Sequence, residues 1–192
     1  MTYTPKAFST LNTEGVDVNA VYTVSTATST AYQPEYPMPP FSVGTEVLGN
    51  NGSKFLFTTV STSCSKGNVC VVSDTSYDVV PLVTSIAAAN FGLQLGVAMA
   101  TGTTGQYLFV QTQGQNQAVS IVGSTTAGVP LYSSTTAGAL TSVATVATSF
   151  PVYGVVLYTT ATSAQVLATA QLTSLELGVI TATAYASPGI AF

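Results

Sequence analysis

The chain has 192 residues, enough for one compact domain or one domain with an arm, and only 5% of them are charged, giving a net charge of −4. Histidine is absent, which excludes Ser-His-Asp and Cys-His catalytic sites and His-ligated metal sites. Three Lys or Arg are too few for typical nucleic-acid binding, and a hydrophobic fraction of 46% is too high for a disordered chain.

Residues 1–42 predict an extended N-terminal arm. Four prolines fall within residues 34–40, where they remove backbone donors and fix an extended path. The same region carries the aromatic residues Tyr32, Tyr36 and Phe41. Two interpretations stay open: a plain linker, or an arm that docks these three rings on a neighbouring subunit at low entropic cost.

From Val43 onward the pattern predicts short β-strands. The Asn51-Gly52 dipeptide lies between two β-rich runs and indicates a tight hairpin. Residues 54–60 and 69–72 are predicted strands on either side of the cysteine region. Residues 79–90 are ambiguous: the three alanines at 87–89 permit a short helix, and Pro81 and Gly92 confine it.

The two cysteines, Cys64 and Cys70, are predicted to face each other across a hairpin whose tip is residues 66–68. A disulfide between them is geometrically feasible and would contribute about 2 kcal/mol in the chain-entropy picture. The alternative is two free thiols. The lack of an apolar signal-like segment in residues 1–10 favours free thiols at synthesis and leaves later oxidation outside the cell open.

One short motif has a catalytic and a structural interpretation. Asp74 begins an Asp-Thr-Ser triplet similar to that of aspartic proteases, and Asp78 follows closely. That chemistry needs two carboxylates that share a proton, so a single copy would require a homodimer. The simpler interpretation is a turn capped by the aspartates, and we expect no catalytic, metal-binding or cofactor-binding residues.

A repeated pattern follows along the chain. A Gly-led strand at residues 96–99 leads to a second strand at 106–111, and residues 154–157 lead to 165–169 in the same way, at an offset near 58 residues. Regular short strands separated by turns predict an all-β fold, a small barrel or sandwich of short antiparallel strands. We place this domain at residues 43–171 and an apolar C-terminal tail at 172–192, which we expect to pack on its own core or on a neighbour.

No acidic or basic residue other than tyrosine lies between Asp78 and Glu176. Two interpretations of this uncharged surface are open: it faces solvent as a neutral Ser/Thr/Gln surface, or it is buried against other subunits. The composition favours burial against other subunits. The most apolar stretch, residues 79–100, is interrupted by Pro, Asn, Gly and Gln, so we expect no membrane-spanning segment.

Several segments, taken in order, resemble the capsid decoration (cement) proteins of tailed phages. The likeness covers about residues 43–171 and is carried by a Gly-Thr strand that leads through a Gly-Asn-Asn-Gly turn to an aromatic strand, and by the later Gly-led strands. The matching segments are residues 44–57, 95–98, 105–111, 127–132, 136–140 and 154–156.

The resemblance implies a structural, non-enzymatic virion protein. Such a protein is made in the host cytoplasm, binds the major capsid protein on the outside of the head, often as a homotrimer, and stabilises the lattice. In that setting Tyr32, Tyr36 and Phe41 become candidate contacts of the arm with the capsid or with another subunit. The alternative function is a carbohydrate- or host-surface-binding β module of a phage fibre or adhesin. Neither function involves nucleic acid or a membrane.

Overall fold

A computed structural model describes residues 16–23, 41–49, 52–89, 92–143, 149–162 and 166–177. These residues form eleven strands and one short helix, which confirms the predicted all-β fold class. In chain order the elements are β1 (Val21–Tyr22), β2 (Glu46–Leu48), β3 (Lys54–Val60), β4 (Val69–Val72), β5 (Asp78–Pro81), α1 (Thr84–Ala87), β6 (Leu95–Ala98), β7 (Tyr107–Ile121), β8 (Leu131–Ser133), β9 (Leu140–Thr141), β10 (Pro151–Leu157) and β11 (Val166–Leu177).

The local predictions for the first strands are confirmed. β3 and β4 have the predicted bounds, and β2 pairs antiparallel with β3, with Leu48 opposite Lys54. The alanine run contributes the end of α1, which begins after Val83 and ends at Ala87, where a turn follows. These elements form where their local sequence favours them, through alternating β-formers and turn residues.

Strands β3 to β7 close into a ring, which we call barrel 1. Around the ring the order is β3, β5, β4, β6 and β7, and β7 pairs back with β3. Alternate side chains of these strands point inward because neighbouring residues of a strand face opposite sides. The interior cluster consists of Leu56, Val60, Cys64, Cys70, Val72, Val79, Ala98, Leu108 and Val110.

Strands β7 to β11 close into a second ring, barrel 2, with the same connectivity. Its order is β7, β9, β8, β10 and β11, so each strand takes the place of the strand four positions earlier in barrel 1. Isolated bridges recur as well: Cys64 pairs with Gly102 in barrel 1, and Thr125 pairs with Ala161 in barrel 2. The predicted repeat is therefore a tandem of two barrels that share β7.

Two details of the sheet differ from the predicted short antiparallel strands. β3 pairs parallel with β5, and β7 pairs parallel with β9. A closed ring of five strands cannot alternate direction throughout, so one neighbouring pair in each barrel must run parallel. In addition, β7 has 15 residues because it serves both barrels, and β11 has 12.

The turning point of β7 is Gly114. Its φ angle is +100°, and a Cβ added there would lie 2.7 Å from the Ser53 Cα atom. Only glycine adopts this conformation and admits this close approach without strain. Before Gly114 the strand pairs with β3, and from Gly114 onward it pairs with β11.

The two barrels pack against each other through β4 and β6. The side chains of Val69, Val71, Leu95 and Val97 point away from the interior of barrel 1 and join the apolar cluster of barrel 2. β4 is buried on both faces, since Cys70 and Val72 belong to the other cluster. A strand between two cores explains the uninterrupted apolar sequence at residues 69–72.

The sheet extends beyond the domain limits predicted at residues 43 and 171. β11 continues to Leu177, so residues 172–177 belong to the strand and bury Leu172, Leu175 and Leu177. On the other side, β1 pairs with the start of β7, which places part of the predicted arm on barrel 1. The rest of the predicted tail, residues 178–192, lies outside the described residues.

Candidate functional site

Of the predicted arm contacts, the structure describes Phe41. Its ring is partly buried and lies in an aromatic cluster on the outside of barrel 1, edge-on to Tyr22, Phe57 and Phe109 at centroid distances of 6.0, 5.3 and 5.7 Å. Phe41 therefore contacts its own subunit. Tyr32 and Tyr36 lie outside the described residues, so their contact with a partner stays a prediction.

The predicted hairpin between Cys64 and Cys70 is wrong, although the two residues do meet. Cys64 exchanges backbone hydrogen bonds with Gly102, with both N–O distances 2.9 Å, and Cys70 lies in β4 opposite Gly96 and Pro81. Both are described as free thiols, buried in the interior of barrel 1. Ring closure, rather than a local hairpin, brings them together.

The two thiols differ in acidity because their side chains interact inside barrel 1, where the Cys70 thiol also donates to the Asn68 carbonyl oxygen at 3.6 Å. The hydrogen bond with Cys70, assisted by a backbone hydrogen bond from Gly102 and opposed by burial, lowers the pKa of Cys64 to about 7. The same hydrogen bond, together with complete burial and the nearby negative charge of an ionised Cys64, raises the pKa of Cys70. Cys64 is therefore the thiol that ionises first.

Asp74 and Asp78 lie in and beside the turn between β4 and β5. The Asp78 carboxylate accepts a hydrogen bond of 2.8 Å from the Ser76 hydroxyl, and the turn is closed by the Tyr77 amide, which donates to the Ser73 carbonyl at 3.1 Å. The structural interpretation of the Asp-Thr-Ser triplet accounts for these contacts. Among the described residues, no three Cys, Asp or Glu side chains gather as metal ligands.

The largest feature that the sequence did not reveal is an exposed face of barrel 2. Tyr132 of β8 is half-buried, and Tyr153, Val156 and Tyr158, on and directly after β10, are 58%, 48% and 54% exposed. We call these four residues the open face. The two flanking residues of β10, Val155 and Leu157, point into barrel 2.

A bulge at Gly154 places Tyr153 and Val156 on the same side of β10. The register with β11 shifts there, and the Gly154 φ angle is +80°. A Cβ added to Gly154 would lie 2.3 Å from the Thr173 carbonyl oxygen, so this bulge requires glycine. Tyr153 and Val156 are three residues apart, and Val156 and Tyr158 are two residues apart. A search for strict alternation along the sequence therefore does not identify the open face.

One residue of the open face, Val156, has a counterpart in barrel 1 that is completely covered. Val97 of β6 lies opposite Gln111 of β7, and Val156 of β10 lies opposite Gln171 of β11. Val97 is fully buried against barrel 2, whereas no described part of the chain covers Val156 to the same extent. In barrel 1, this side of the sheet packs against barrel 2. In barrel 2, the equivalent side is exposed to solvent.

The strands that carry the open face are almost free of charge. β8 and β10 contain no ionisable group other than tyrosine, and the one charged residue of β11 is Glu176, opposite Tyr153 at one end. The Tyr158 hydroxyl donates to Gln171 Oε1 at 3.1 Å, so a neutral hydrogen bond fixes one ring. An apolar and aromatic surface with neutral polar groups is suited to contact with protein.

A concave surface lies near the bend of β7, and the side-chain amides of Gln111 and Asn116 that line it are engaged in internal hydrogen bonds. Asn116 Nδ2 donates to Gln111 Oε1 at 2.8 Å, and Gln111 Nε2 donates to the carbonyls of Gln113 and Gln115 at 3.0 and 3.1 Å. These buried amides stabilise the bend between the two barrels.

No protein-family model matches this chain, and no curated protein sequence matches it. In the described ranges, no helix has the length and apolar character needed to cross a membrane.

Proposed function

We propose that this protein is a capsid decoration protein that binds the outer surface of a phage head and stabilises the lattice. The observation that supports this most directly is the open face, whose four residues carry no charge and whose Val156 has a counterpart in barrel 1, Val97, that is buried in the intramolecular contact between the two barrels. The sequence resemblance to cement proteins of tailed phages supports the same function. The partner would be the major capsid protein, through an equally uncharged surface.

A neutral contact surface suits a lattice-binding protein. Charged groups lose hydration when they are buried, and a neutral Tyr/Val surface avoids that cost. Its binding also changes little with ionic strength, since salt screens charges rather than apolar contacts. Repetition over a capsid then converts many weak contacts into firm attachment.

The proposal includes the virion as the location of the protein and a homotrimer as its assembled form, as the resemblance implies. Light scattering on the purified chain measures the native mass and distinguishes a trimer from a monomer. A monomer in solution that trimerises only on heads is distinguished by cross-linking on purified particles.

The central experiment compares particles assembled with and without this protein. We expect particles that carry it to co-sediment with it and to resist heating and osmotic shock better than particles that lack it. Equal resistance together with no co-sedimentation would overturn the proposal. A signal on a glycan array in the absence of particle binding would instead support the carbohydrate- or host-surface-binding module.

A pair of valine variants separates the open face from other exposed surface. Val156 lies on the open face, and Val143 is 64% exposed beyond β9. We expect Val156→Asp to abolish co-sedimentation, because the aspartate would lose its hydration in the contact, and Val143→Asp to leave it unchanged. Equal binding of both variants would exclude the open face as the contact. Circular dichroism checks that each variant is folded.

A further inference from the structure

We propose that Cys64 and Cys70 form an intramolecular disulfide inside barrel 1 when the folded protein meets a small-molecule disulfide such as oxidised glutathione. The inference rests on the described geometry of barrel 1 and is independent of the proposed function. These are the chain's two cysteines, so no other pairing within one subunit competes.

Barrel 1 brings the two cysteine side chains into one interior cluster from different segments of the ring. Cys64 is anchored by its pair of backbone hydrogen bonds to Gly102, and Cys70 is fixed in β4 between β5 and β6. The chain between them turns at Gly67, whose amide donates to the Ala98 carbonyl at 2.8 Å. Both anchors are part of the closed ring, so the side chains remain in contact without a local hairpin.

Barrel 2 shows that this architecture does not need cysteine. Thr125 takes the place of Cys64, because it forms the equivalent isolated bridge, and Leu131 takes the place of Cys70 in β8. Both Thr125 and Leu131 are buried, as the cysteines are. The thiol pair is therefore an addition to barrel 1 that packing alone does not require.

The reaction is a thiol–disulfide exchange in two steps. The Cys64 thiolate attacks one sulfur of oxidised glutathione, forms a mixed disulfide and releases one reduced glutathione. The Cys70 sulfur then attacks the Cys64 sulfur and displaces the second glutathione, and the proton of the Cys70 thiol passes to the departing glutathione sulfur. The protein loses two hydrogens, and one oxidised glutathione becomes two reduced molecules.

Cys64 is the residue positioned to react first. Both thiols are buried, but Cys64 is 4% exposed and lies outside the named strands, at the isolated bridge with Gly102, whereas Cys70 is 0% exposed and lies in β4 between β5 and β6. The thiol with the greater thiolate fraction is the stronger attacking group. The enclosed Cys70 then serves as the resolving thiol.

The experiment treats the purified full-length chain with oxidised glutathione, denatures it, alkylates the remaining thiols and measures the intact mass. We expect wild type to lose two hydrogens, to accept no alkyl group and to carry no glutathione. The Cys70→Leu variant, which copies barrel 2, lacks the resolving thiol and should accumulate one glutathione on Cys64. The Cys64→Thr variant should keep its thiol.

Two results would overturn the inference. One is wild type that retains both alkylatable thiols under conditions in which Cys70→Leu takes up glutathione. The other is wild type that accumulates the mixed disulfide or a disulfide-linked dimer instead of the internal bond. Circular dichroism shows whether each variant is folded. If a variant is unfolded, peptide mapping of oxidised wild type still tests the inference, because the disulfide would join the peptides that contain residues 64 and 70.

Discussion

Val97 and Val156 lie opposite equivalent glutamines in the two barrels, yet Val97 is fully buried and Val156 is 48% exposed. The difference arises because barrel 2 covers β6, while no described part of the chain covers Val156 to the same extent. In a tandem of similar units, a face that one unit buries on its neighbour is exposed in the unit where no neighbour covers it.

The first prediction compares Val97→Thr with Val156→Thr. Threonine has the shape of valine, so the variants differ mainly in whether a hydroxyl is buried. We expect Val97→Thr to lower the free energy of unfolding by about 1–3 kcal/mol. Val156→Thr should change it by less than about 0.5 kcal/mol. Urea unfolding followed by circular dichroism measures both, and equal losses would contradict the burial difference.

The second prediction concerns equivalent turn glycines. Gly67 and Gly128 have φ angles of +87° and +77°, and their amides donate to Ala98 and Leu157, which match in the two barrels. A Cβ on Gly67 would lie 2.1 Å from the Ala118 carbonyl oxygen, whereas a Cβ on Gly128 would meet nothing within 4 Å.

We therefore expect Gly128→Ala to cost about 1–2 kcal/mol of stability, from the left-handed backbone alone. Gly67→Ala adds the collision with backbone and should cost more than about 4 kcal/mol. Thermal unfolding of the two variants provides the comparison. Similar melting temperatures would contradict the prediction, because they would show that the backbone near Gly67 and the second half of β7 can move apart with little loss of stability.

The third prediction tests the docking of residue 41. Phe41→Ala removes a ring with three aromatic neighbours, and we expect a loss of about 2 kcal/mol, less than for a fully buried phenylalanine. Val43→Ala is the matched control, because Val43 is exposed nearby and should change stability by less than about 0.5 kcal/mol. Equal unfolding midpoints for both variants would contradict the intramolecular docking of Phe41.

The sequence predicted those parts of the fold whose signals are local. β3 was found with its bounds because β-formers follow an Asn-Gly turn, and the Gly-led strands revealed the repeat. Ring closure was not predictable, since the pairings of β7 with β3 and of β11 with β7 join segments far apart in sequence. The sequence also predicted that Cys64 and Cys70 lie close together, but for the wrong reason, since ring closure rather than a hairpin brings them together.

The open face was missed for a physical reason. An exposed strand face is normally recognised by alternation, and the Gly154 bulge breaks that period between Tyr153 and Val156. The near absence of charge between Asp78 and Glu176 did indicate a surface that meets other protein. It could not locate that surface, because tyrosine and valine occur on covered and open strands alike.

The last prediction is a pH dependence at Cys64. The hydrogen bond with Cys70 lowers the pKa of Cys64 to about 7, and the interior cluster around it contains apolar side chains, the other thiol and the packed Tyr77 ring. The rate of Cys64 alkylation in the folded protein should therefore rise through a midpoint near pH 7. Cys70→Leu removes that hydrogen bond and should shift the midpoint upward, toward the usual range for a thiol.

The same shift has a consequence for stability, whose sign follows from linkage. A thiol with a lower pKa in the folded state stabilises the fold at pH values above its unfolded pKa, and this contribution disappears as the pH falls through about 7. Cys70 acts in the opposite direction, since its raised pKa favours the fold while it stays protonated and opposes it at high pH. Alkylation rates against pH, with mass spectrometry to assign the site, distinguish the two thiols; a midpoint unchanged in Cys70→Leu would refute the hydrogen bond as the cause.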